Sequence, residues 1–397
     1  MPQRIETIQQ FYALMQETGK LRRKLVSRIM ESESPDPQGS EQLRSFLKAL
    51  QNIPRQNDRF VLTSSALCLE LGYEISELEK DLIFLEQGER ALLSYFAELH
   101  PGFREEIGSA LEFSHGLRLP LTNLISDRDG TVNNYCGRYL SSIQSVYNAV
   151  FLSRFAQRAV ENAVILTSAP LYGGGLADIT VAPPGLFILA GSKGREYLDA
   201  KGRDGRLPIE QEKQNKLDHL NRRLEQLMQD PRYELFSLIG SGLQFKFGQT
   251  TVARQDIYGS IPTTESEAFM NVIEELIRDI DPQGEYFRTE DTGKDIEIIL
   301  TVEGESGLKD FDKGDGVSFL DGELDLGLAR GENLVCGDTS SDIPMVAAAK
   351  SPQTSAIFVT SETAIKQAVR RICERVHFVS EPDILVCLLN QLGKDRG

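Results

Sequence analysis

Two aspartates stand close together where an apolar run of the sequence ends. The run starts at Leu121, and Asp127 and Asp129 come directly after it, followed by Gly130. A charge at the end of a buried strand is costly unless something uses it. A carboxylate in that position can attack phosphorus, provided that a cation screens the phosphate and a second acid protonates the leaving oxygen. Asp127 and Asp129 are therefore candidates for the nucleophile and the acid of a phosphoryl transfer.

Phosphoryl transfer also requires groups that hold the phosphate oxygens and carboxylates that bind a divalent cation. Thr167 and Ser168 end a second apolar run, and Lys313 lies in a glycine-rich segment before an apparent helix. Asp338 and Asp342 follow a third apolar run. Magnesium binds oxygen ligands and keeps several of its waters, so two or three carboxylates are sufficient. The chain thus carries every group that such a site needs.

Each of these signals has an ordinary explanation when it is taken alone. Aspartate is common in turns and at helix N-caps, and an isolated lysine is usually solvated. A calcium-binding loop is excluded, because a loop that starts at Asp127 would place Val132 at the required glycine and Arg138 at the required glutamate. The ordered combination of all these groups after strands of one sheet favours a functional site over coincidence.

Short apolar segments, each followed by a polar or glycine-rich turn and a helical pattern, recur from residue 121 onward. They span residues 121–126, 163–168, 187–192, 333–338 and 356–361. The alternation of strand and helix predicts a Rossmann-like α/β fold, in which a parallel sheet has helices on both faces. Ligands bind such sheets outside the carboxyl ends of the strands, which is where the candidate residues lie.

Hydrophobic periodicity divides the chain into three regions. Residues 1–118 show helical spacing without persistent strand-like alternation, which predicts an N-terminal helical domain. Residues 119–196 and 307–397 are predicted to form the α/β core. In residues 197–306 a helical pattern followed by two strand-like patterns occurs twice. The strand-like patterns alternate apolar and polar residues, as in an antiparallel sheet with one face buried, and this predicts an inserted α+β domain.

Two local signals refine these helices. The helical pattern of residues 73–99 is interrupted at Gly88, which predicts a helical hairpin or a broken helix. Thr264 and Glu267 have the spacing of a capping box and predict the start of a helix in the inserted domain.

Charge and cysteine content exclude several classes of protein. The net charge of −16 argues against nucleic acid or an anionic membrane as the main partner. The five cysteines form no CxxC pair, so we expect them to be reduced. The first residues lack the apolar core of a signal peptide, and no apolar run approaches the ~20 residues that span a bilayer. A cytoplasmic location is expected.

The four motifs resemble those of the haloacid dehalogenase superfamily of phosphotransferases. The matching segments are DRDGT, ILTS, DKGDG and GDTSSD. The resemblance implies that Asp127 is phosphorylated and that Asp129 acts as general acid and base. It also implies that Thr167, or else Ser168, and Lys313 hold the phosphoryl oxygens. Hydrolysis or transfer of phosphate is therefore the expected chemistry.

The same resemblance implies Mg²⁺ as the cofactor and a cap over the site. The implied magnesium ligands are Asp127, the backbone carbonyl of Asp129, Asp338 and Asp342. The segment between Asp127 and Thr167 is too short for an inserted domain, whereas the segment between Thr167 and Lys313 is long enough. Such an insertion matches the type-two cap of the superfamily. Caps of this kind close over small organic phosphates and exclude water.

Within the superfamily the chain is most similar to trehalose-6-phosphate phosphatases of the nematode and bacterial type. The similarity extends over residues 121–349 and includes SDRDGTVNNYCGRY, LTSAP, AGSKGREY, GQTTVARQDIY, DTGKDIEI and CGDTSSDIPMV. It implies hydrolysis of trehalose 6-phosphate through an aspartyl-phosphate, with a small sugar phosphate as the only expected partner apart from self-association through the N-terminal helices.

Residues that contact the sugar are predicted only as candidates, because a disaccharide needs donors and acceptors of many kinds. The candidates are Ser168, Lys193, Lys246, Arg254 and Glu297. Two other functions stay open at this point. The first is a phosphatase or phosphomutase that acts on sucrose phosphate or a hexose phosphate, which an assay of phosphate release distinguishes. The second is a non-catalytic interaction protein, against which the intact catalytic set argues.

Overall fold

The computed structural model describes residues 4–33, 36–57, 59–62, 68–304 and 307–394. The N-terminal part consists mainly of helices. Its elements are α1 (Ile8–Met30), α2 (Pro37–Gln51), β1 (Arg55–Gln56), β2 (Arg59–Val61), β3 (Cys68–Leu69), α3 (Gly72–Gln87), α4 (Glu89–Leu99) and α5 (Phe103–Ser114). α1 begins at a capping box in which Thr7 accepts from the backbone N–H of Gln10 at 3.2 Å.

The helical prediction for this region is confirmed, and so is the break at Gly88, which lies between α3 and α4 with a φ of +83°. Glycine adopts that backbone angle without strain. The sequence did not predict the antiparallel sheet β1-β2-β3. Its strands span only two or three residues, which is too short for alternation to be recognised.

The first half of the α/β core follows. Its elements are β4 (Leu121–Asp127), α6 (Val146–Ala159), β5 (Val160–Leu166), α7 (Leu176–Ile179), β6 (Ile188–Gly191), β7 (Glu196–Leu198) and β8 (Asp204–Arg206). Short 3₁₀ helices also occur, at Tyr139–Ser141 and Ser192–Gly194.

The inserted region forms a four-stranded antiparallel sheet of order β11-β12-β10-β9, here called the cap sheet. Its elements are α8 (Gln211–Met228), α9 (Glu234–Leu238), β9 (Leu243–Lys246), β10 (Gln249–Ala253), α10 (Thr263–Ile280), β11 (Phe287–Asp291) and β12 (Asp295–Leu300). The predicted repeat of helix, strand and strand is confirmed. The predicted capping box is wrong, because α10 begins at Thr263 after Pro262 and has no side-chain cap.

A hairpin of β13 (Val302–Gly304) and β14 (Gly307–Lys309) leads back to the core. The remaining elements are α11 (Lys313–Leu324), β15 (Asn333–Gly337), α12 (Ile343–Ala348), β16 (Ser355–Val359), α13 (Thr363–Ile372), β17 (Val376–Val379) and α14 (Pro382–Lys394).

The core strands form one eight-stranded sheet of order β17-β16-β15-β4-β5-β6-β7-β8. It is parallel from β17 to β6, and β7 and β8 are antiparallel. All five predicted strands are confirmed. The sheet also continues to Arg206, beyond the predicted core segment 119–196, because β7 and β8 fold back along its edge. The other domain boundaries stay a prediction.

Helices cover both faces of this sheet, as predicted. α6 and α14 pack on one face with the N-terminal helices above them, and residues such as Phe11, Phe151 and Leu385 belong to one continuous apolar core. α11, α12 and α13 cover the other face around Val335 and Phe358. No helix of the described ranges is both long and apolar enough to cross a membrane.

Arg195 lies where the chain leaves the sheet for the inserted region and where it returns. Its carbonyl accepts from the backbone N–H of Leu207 at 2.7 Å, and its Nη1 donates to the carbonyl of Gly248 at 2.5 Å. The guanidinium lies 4.7 Å from the centre of the Phe311 ring. Arg195 thus contacts the outgoing segment through its backbone carbonyl, and the cap sheet and the returning segment through its buried side chain.

Candidate active site

Side chains from the ends of β4, β5 and β15 meet at the carboxyl edge of the large sheet. A cavity of about 280 Å³ lies there, closed on one side by residues of β9. Seven of the predicted residues line it, namely Asp127, Asp129, Thr167, Ser168, Lys246, Lys313 and Asp338. The parallel topology therefore brings most of the candidate residues into one cavity.

Lys313 is the first residue of α11 and points into this cavity. The helix starts there because Asp312 caps it, accepting from the backbone N–H of Asp315 at 2.9 Å. The Nζ of Lys313 donates to Asp127 Oδ1 and to Asp342 Oδ1, both at 2.5 Å. Burial lowers the pKa of Lys313, but the two carboxylates outweigh burial and raise it above its usual value. The lysine is a fixed positive charge between two acids.

Three carboxylates form a compact cluster beside this lysine. Asp127, Asp338 and Asp342 each offer an oxygen within 4.8 Å of the others. Burial and the neighbouring carboxylates raise the pKa of Asp127 to about 7 and that of Asp338 to about 8. A divalent cation between these groups would relieve the crowding, and carboxylate oxygens are the ligands that hard cations prefer. The donor set therefore fits a metal ion.

Asp342 is oriented by the turn in which it lies. Its Oδ2 accepts from the backbone N–H groups of Asp338 and Thr339, each at 2.9 Å, and from the Thr339 hydroxyl at 3.1 Å. Burial raises the pKa of Asp342, but Lys313 and these hydrogen bonds lower it below the usual value. An aspartate that stays ionised is suited to bind a cation.

Gly130 allows the chain to pass close to this cluster. Its φ is +87°, and a Cβ atom at this position would lie 2.3 Å from Asp338 Oδ2. No larger side chain fits without displacing Asp338, and L residues other than glycine rarely adopt this backbone angle. The glycine after the paired aspartates is therefore required by the approach of β15 to β4.

Asp129 lies between Arg128 and Thr167. Its Oδ1 accepts from the Arg128 guanidinium and, at 3.4 Å, from the Ser142 hydroxyl, and its Oδ2 accepts from the Thr167 hydroxyl at 3.4 Å. Arg128 is buried and also donates to the backbone carbonyl of Ser142. These contacts hold the second carboxylate at the cavity, separate from the cluster of three carboxylates. Arg128 was not among the residues predicted from the sequence.

The predicted sugar contacts divide into two groups. Ser168 and the buried Lys246 line the cavity, whereas Lys193, Arg254 and Glu297 are not among its lining residues. Arg254 instead donates to Asp291 at 2.7 Å on the cap sheet.

The two other candidates lie beside the cavity without lining it. Glu297 accepts from Gln249 Nε2 at 2.8 Å and lies 3.9 Å from Lys246 Nζ, so it contacts the site only through that lysine. Lys193 donates its backbone N–H to the carbonyl of Thr167 at 2.8 Å. Both residues are half-buried, and their positions on a strand face and in a loop did not show whether they line the cavity.

Several lining residues were missed. They are Tyr135, Cys136, Gly137, Tyr139, Ala169, Ser241, Gln244, Thr339 and Ser341. Tyr135 and Tyr139 come shortly after the paired aspartates, and that proximity in sequence was the signal available for them. Gln244 is two residues before Lys246 in β9 and therefore lies on the same face of the strand, and Ser241 comes shortly before β9. Their proximity to Lys246 in the sequence was the signal available for them.

A parallel sheet with paired aspartates after its strand β4, a buried lysine and a second aspartate pair defines the haloacid dehalogenase class of phosphotransferases. Family models give the particular group within this class. The model "Trehalose-6-phosphate phosphatase, C-terminal" matches residues 124–385, and "Trehalose-6-phosphate phosphatase N-terminal helical bundle domain" matches residues 7–100. The chain belongs to the trehalose-6-phosphate phosphatase family.

Curated relatives agree with this assignment. A trehalose-phosphatase of Brugia malayi is 29% identical over 426 residues, which cover 98% of this chain and 86% of the relative. A Caenorhabditis elegans trehalose-phosphatase is 30% identical over 310 residues, with 74% and 69% covered. Alpha,alpha-trehalose-phosphate synthase (UDP-forming) 2 of C. elegans is 30% identical over 417 residues, with 98% of this chain and 34% of the relative covered. The chain spans about a third of the length of the synthases that it matches.

Among solved structures, a trehalose-6-phosphate phosphatase related protein aligns with 69% of this chain and 100% of its own, at 13% identity and a TM-score of 0.46. The fold is defined by the eight-stranded sheet described above.

Proposed function

We propose that this chain hydrolyses trehalose 6-phosphate to trehalose and phosphate, with Mg²⁺ as cofactor. The observation that carries the proposal is the pair of contacts from Lys313 to Asp127 and Asp342, in a cavity that Asp129 also lines. The match to the family model and the trehalose-phosphatase relatives support the substrate.

Asp127 is the nucleophile of this mechanism. One carboxylate oxygen of Asp127 attacks phosphorus, the bond between phosphorus and the sugar oxygen breaks, and Asp129 donates a proton to that oxygen. Water then attacks the aspartyl-phosphate, Asp129 accepts a proton from the water, and phosphate leaves with Asp127 restored. The contacts of Asp129 with Arg128 and Thr167 keep it oriented through both steps.

The phosphoryl oxygens are held by Lys313 and by Thr167, or else Ser168. The Thr167 hydroxyl and the Lys313 ammonium are already hydrogen-bonded to carboxylates of the site before substrate binds, so the site needs little reorganisation when charge develops on the phosphoryl group. Mg²⁺, held by Asp127, Asp338, Asp342 and the backbone carbonyl of Asp129, would screen the phosphate charge.

The cap sheet supplies a second positive charge. Lys246 is buried at the cavity, and burial lowers its pKa, although Glu297 opposes that effect. A lysine there attracts an anionic substrate and helps to exclude water once the site is filled.

The experiment measures phosphate release from trehalose 6-phosphate, sucrose 6-phosphate, glucose 6-phosphate and mannose 6-phosphate, with and without Mg²⁺. Asp127→Asn removes the nucleophile, and Asp325→Asn is a matched control, since Asp325 is an exposed aspartate after α11. We expect Mg²⁺-dependent release from trehalose 6-phosphate with a kcat/KM far above that of the other three, lost in Asp127→Asn and kept in Asp325→Asn.

Release from another sugar phosphate with none from trehalose 6-phosphate would overturn the substrate while leaving the chemistry in place. Conversion of a hexose phosphate without phosphate release would identify a mutase. Activity that survives in Asp127→Asn would refute the nucleophile.

A further inference from the structure

One loop between the paired aspartates and α6 forms a wall of the cavity. This wall loop, residues 133–143, contributes Tyr135, Cys136, Gly137 and Tyr139 to the lining. None of these residues holds the phosphate in the mechanism above. The wall loop is therefore available to contact the part of the substrate that leaves.

The hydroxyl of Tyr139 is buried, and within the described ranges it has no hydrogen-bond partner. A buried hydroxyl without a partner costs roughly 1–3 kcal/mol. Burial also raises the pKa of Tyr139 well above its usual value, so the hydroxyl keeps its proton and can donate. Because Tyr139 lines the same cavity as Asp129 and Thr167, an oxygen of a bound ligand can supply the missing partner.

Tyr135 lies on the same wall, but its ring is exposed to solvent, whereas the hydroxyl of Tyr139 is buried. Tyr135 is 73% exposed, which is the highest value among the large hydrophobic residues of the described ranges, although it lines the cavity. An aromatic ring left in water gains stability when an apolar surface covers it, and a sugar ring offers such a surface through its C–H groups. The exposed ring at the cavity is suited to stacking against a sugar.

The wall loop is held rigid from outside the cavity. The Ser141 hydroxyl donates to Glu74 Oε1 at 2.5 Å, and Arg138 Nη2 donates to the backbone carbonyl of Cys68 at 3.0 Å, so the N-terminal elements anchor it. Arg138 Nη1 donates to the carbonyl of Leu238, at the end of α9, at 3.1 Å. A wall fixed before binding loses little entropy when the ligand arrives.

We propose that the wall loop binds the sugar of the substrate, with the Tyr139 hydroxyl hydrogen-bonded to it and the Tyr135 ring stacked on a sugar ring. The proposal rests on the proposed function and extends it, because it assigns part of the leaving-group selection to residues outside the cap sheet. It also gives the N-terminal helices a role in the site, since they hold this loop in place.

The test compares trehalose 6-phosphate with glycerol 3-phosphate, a phosphate ester without a sugar ring. For Tyr139→Phe and Tyr135→Ala we expect KM for trehalose 6-phosphate to rise about three- to tenfold, the effect of one lost neutral contact, with kcat within about twofold. Inhibition by trehalose should weaken by the same factor. The ratio kcat/KM for glycerol 3-phosphate should not change.

Two controls match these variants. Tyr286→Phe removes a hydroxyl that donates to Glu212 at 2.5 Å away from the cavity lining. Tyr172→Ala removes a 41% exposed ring that does not line the cavity. We expect wild-type kinetics for both. Thermal unfolding of all four variants establishes that they fold.

An unchanged KM and unchanged trehalose inhibition in both wall variants would overturn the proposal. So would an equal loss of kcat/KM on both substrates, because that result marks a purely structural role. Wild-type protein that releases no phosphate from trehalose 6-phosphate would refute the proposed function separately. The wall proposal would then be decided by calorimetric titration with trehalose, and equal affinity in the wild type and both variants, or no binding, would refute it.

Discussion

Gly130 is a position of the site at which a larger side chain does not fit unless Asp338 moves. In Gly130→Ala the new Cβ collides with Asp338, and the left-handed backbone costs about 1–2 kcal/mol. We expect kcat for the sugar phosphate to fall at least about tenfold and the free energy of unfolding to fall by at least that strain. Kinetics and urea unfolding measure the two effects.

Gly322→Ala is the control for this substitution. Gly322 lies in α11, and a Cβ there meets no atom within 4 Å. Alanine in a helix should stabilise the protein by up to about 1 kcal/mol without changing kcat. Wild-type kcat in Gly130→Ala would contradict this prediction, because it would show that activity does not depend on the close approach of Asp338 to residue 130.

The buried carboxyl group of Glu74 makes the free energy of unfolding depend on pH. Burial raises the pKa of Glu74 to about 7 from 4.5, although the hydrogen bond from Ser141 opposes that rise. Its Oε2 has no hydrogen-bond partner within the described ranges. Between these two pKa values the folded protein keeps a proton that the unfolded chain releases, so stability falls as pH rises through this window.

The substitution Glu74→Gln removes this titration and keeps an oxygen that accepts from Ser141. We expect equal stability of variant and wild type at pH 4, and a variant that is more stable by about 2–3 kcal/mol at pH 8. Urea unfolding across this range makes the comparison, with Glu17→Gln on the exposed face of α1 as control. Parallel pH profiles for Glu74→Gln and wild type would contradict the assignment.

Among the elements, α1 and α3 are joined by a buried ion pair. Arg22 Nε lies 2.6 Å from Asp81 Oδ2, and both side chains are fully buried. Asp81 also accepts from the backbone N–H of Val146, the first residue of α6, at 2.6 Å. The pair therefore connects two N-terminal helices with a helix of the core.

Arg22→Met leaves the carboxylate buried without its partner. We expect a loss of about 3–5 kcal/mol in the free energy of unfolding, because removing one member of a buried pair strands the other charge. The double variant Arg22→Met, Asp81→Asn should recover part of that loss, since asparagine still accepts from Val146. Lys20→Met, at an exposed pair with Glu17, should change stability by less than about 1 kcal/mol. A double variant no more stable than the single one would contradict this explanation.

Elements were predictable where their sequences were long or strongly apolar. The five predicted strands of the large sheet are runs of buried residues, and Gly88 marked the break between two helices. β17 was missed because three of its four residues are only partly buried, and β7 and β8 because they span three residues each. Such short edges are stabilised by pairing with a neighbouring strand, which sequence periodicity does not show.

The site was predictable where a motif follows a strand, because strand ends in a parallel sheet share one edge. That reasoning located Asp127, Thr167 and Asp338 together. It could not predict the direction of side chains on the cap sheet, so Arg254, which pairs with Asp291, was chosen alongside Lys246, which faces the cavity. Tyr139 was also missed, because an unpaired hydroxyl is recognised only in three dimensions.

At the scale of the whole molecule, the N-terminal helices and the core share one apolar core. Apolar residues from α1 to α14 form a single cluster, and Lys80 of α3 donates to Asp383 of α14 at 2.9 Å. Removal of residues 1–118 would expose the apolar face formed by α6 and α14 and would leave Asp383 without its lysine.

We therefore expect a protein starting at residue 119 to aggregate or to unfold more than about 10 °C below the full chain, as measured by thermal unfolding and sedimentation. A variant with Lys394→Met is a control, since its only described ion pair, with Glu89, is partly exposed. A soluble core fragment with the unfolding temperature of the full chain would show that the N-terminal helices are a separate folding unit.

Arg195 bears on how the cap sheet could move. Its side chain contacts the carbonyl of Gly248 in the cap sheet and the ring of Phe311 in the returning segment, and burial lowers its pKa to about 10. We expect these two contacts to persist when the cavity opens, so that the cap sheet tilts about its Arg195 end. The wall loop is also bonded to the inserted region, since Arg138 Nη1 donates to the carbonyl of Leu238, and an opening that moves α9 away from the core must break that hydrogen bond.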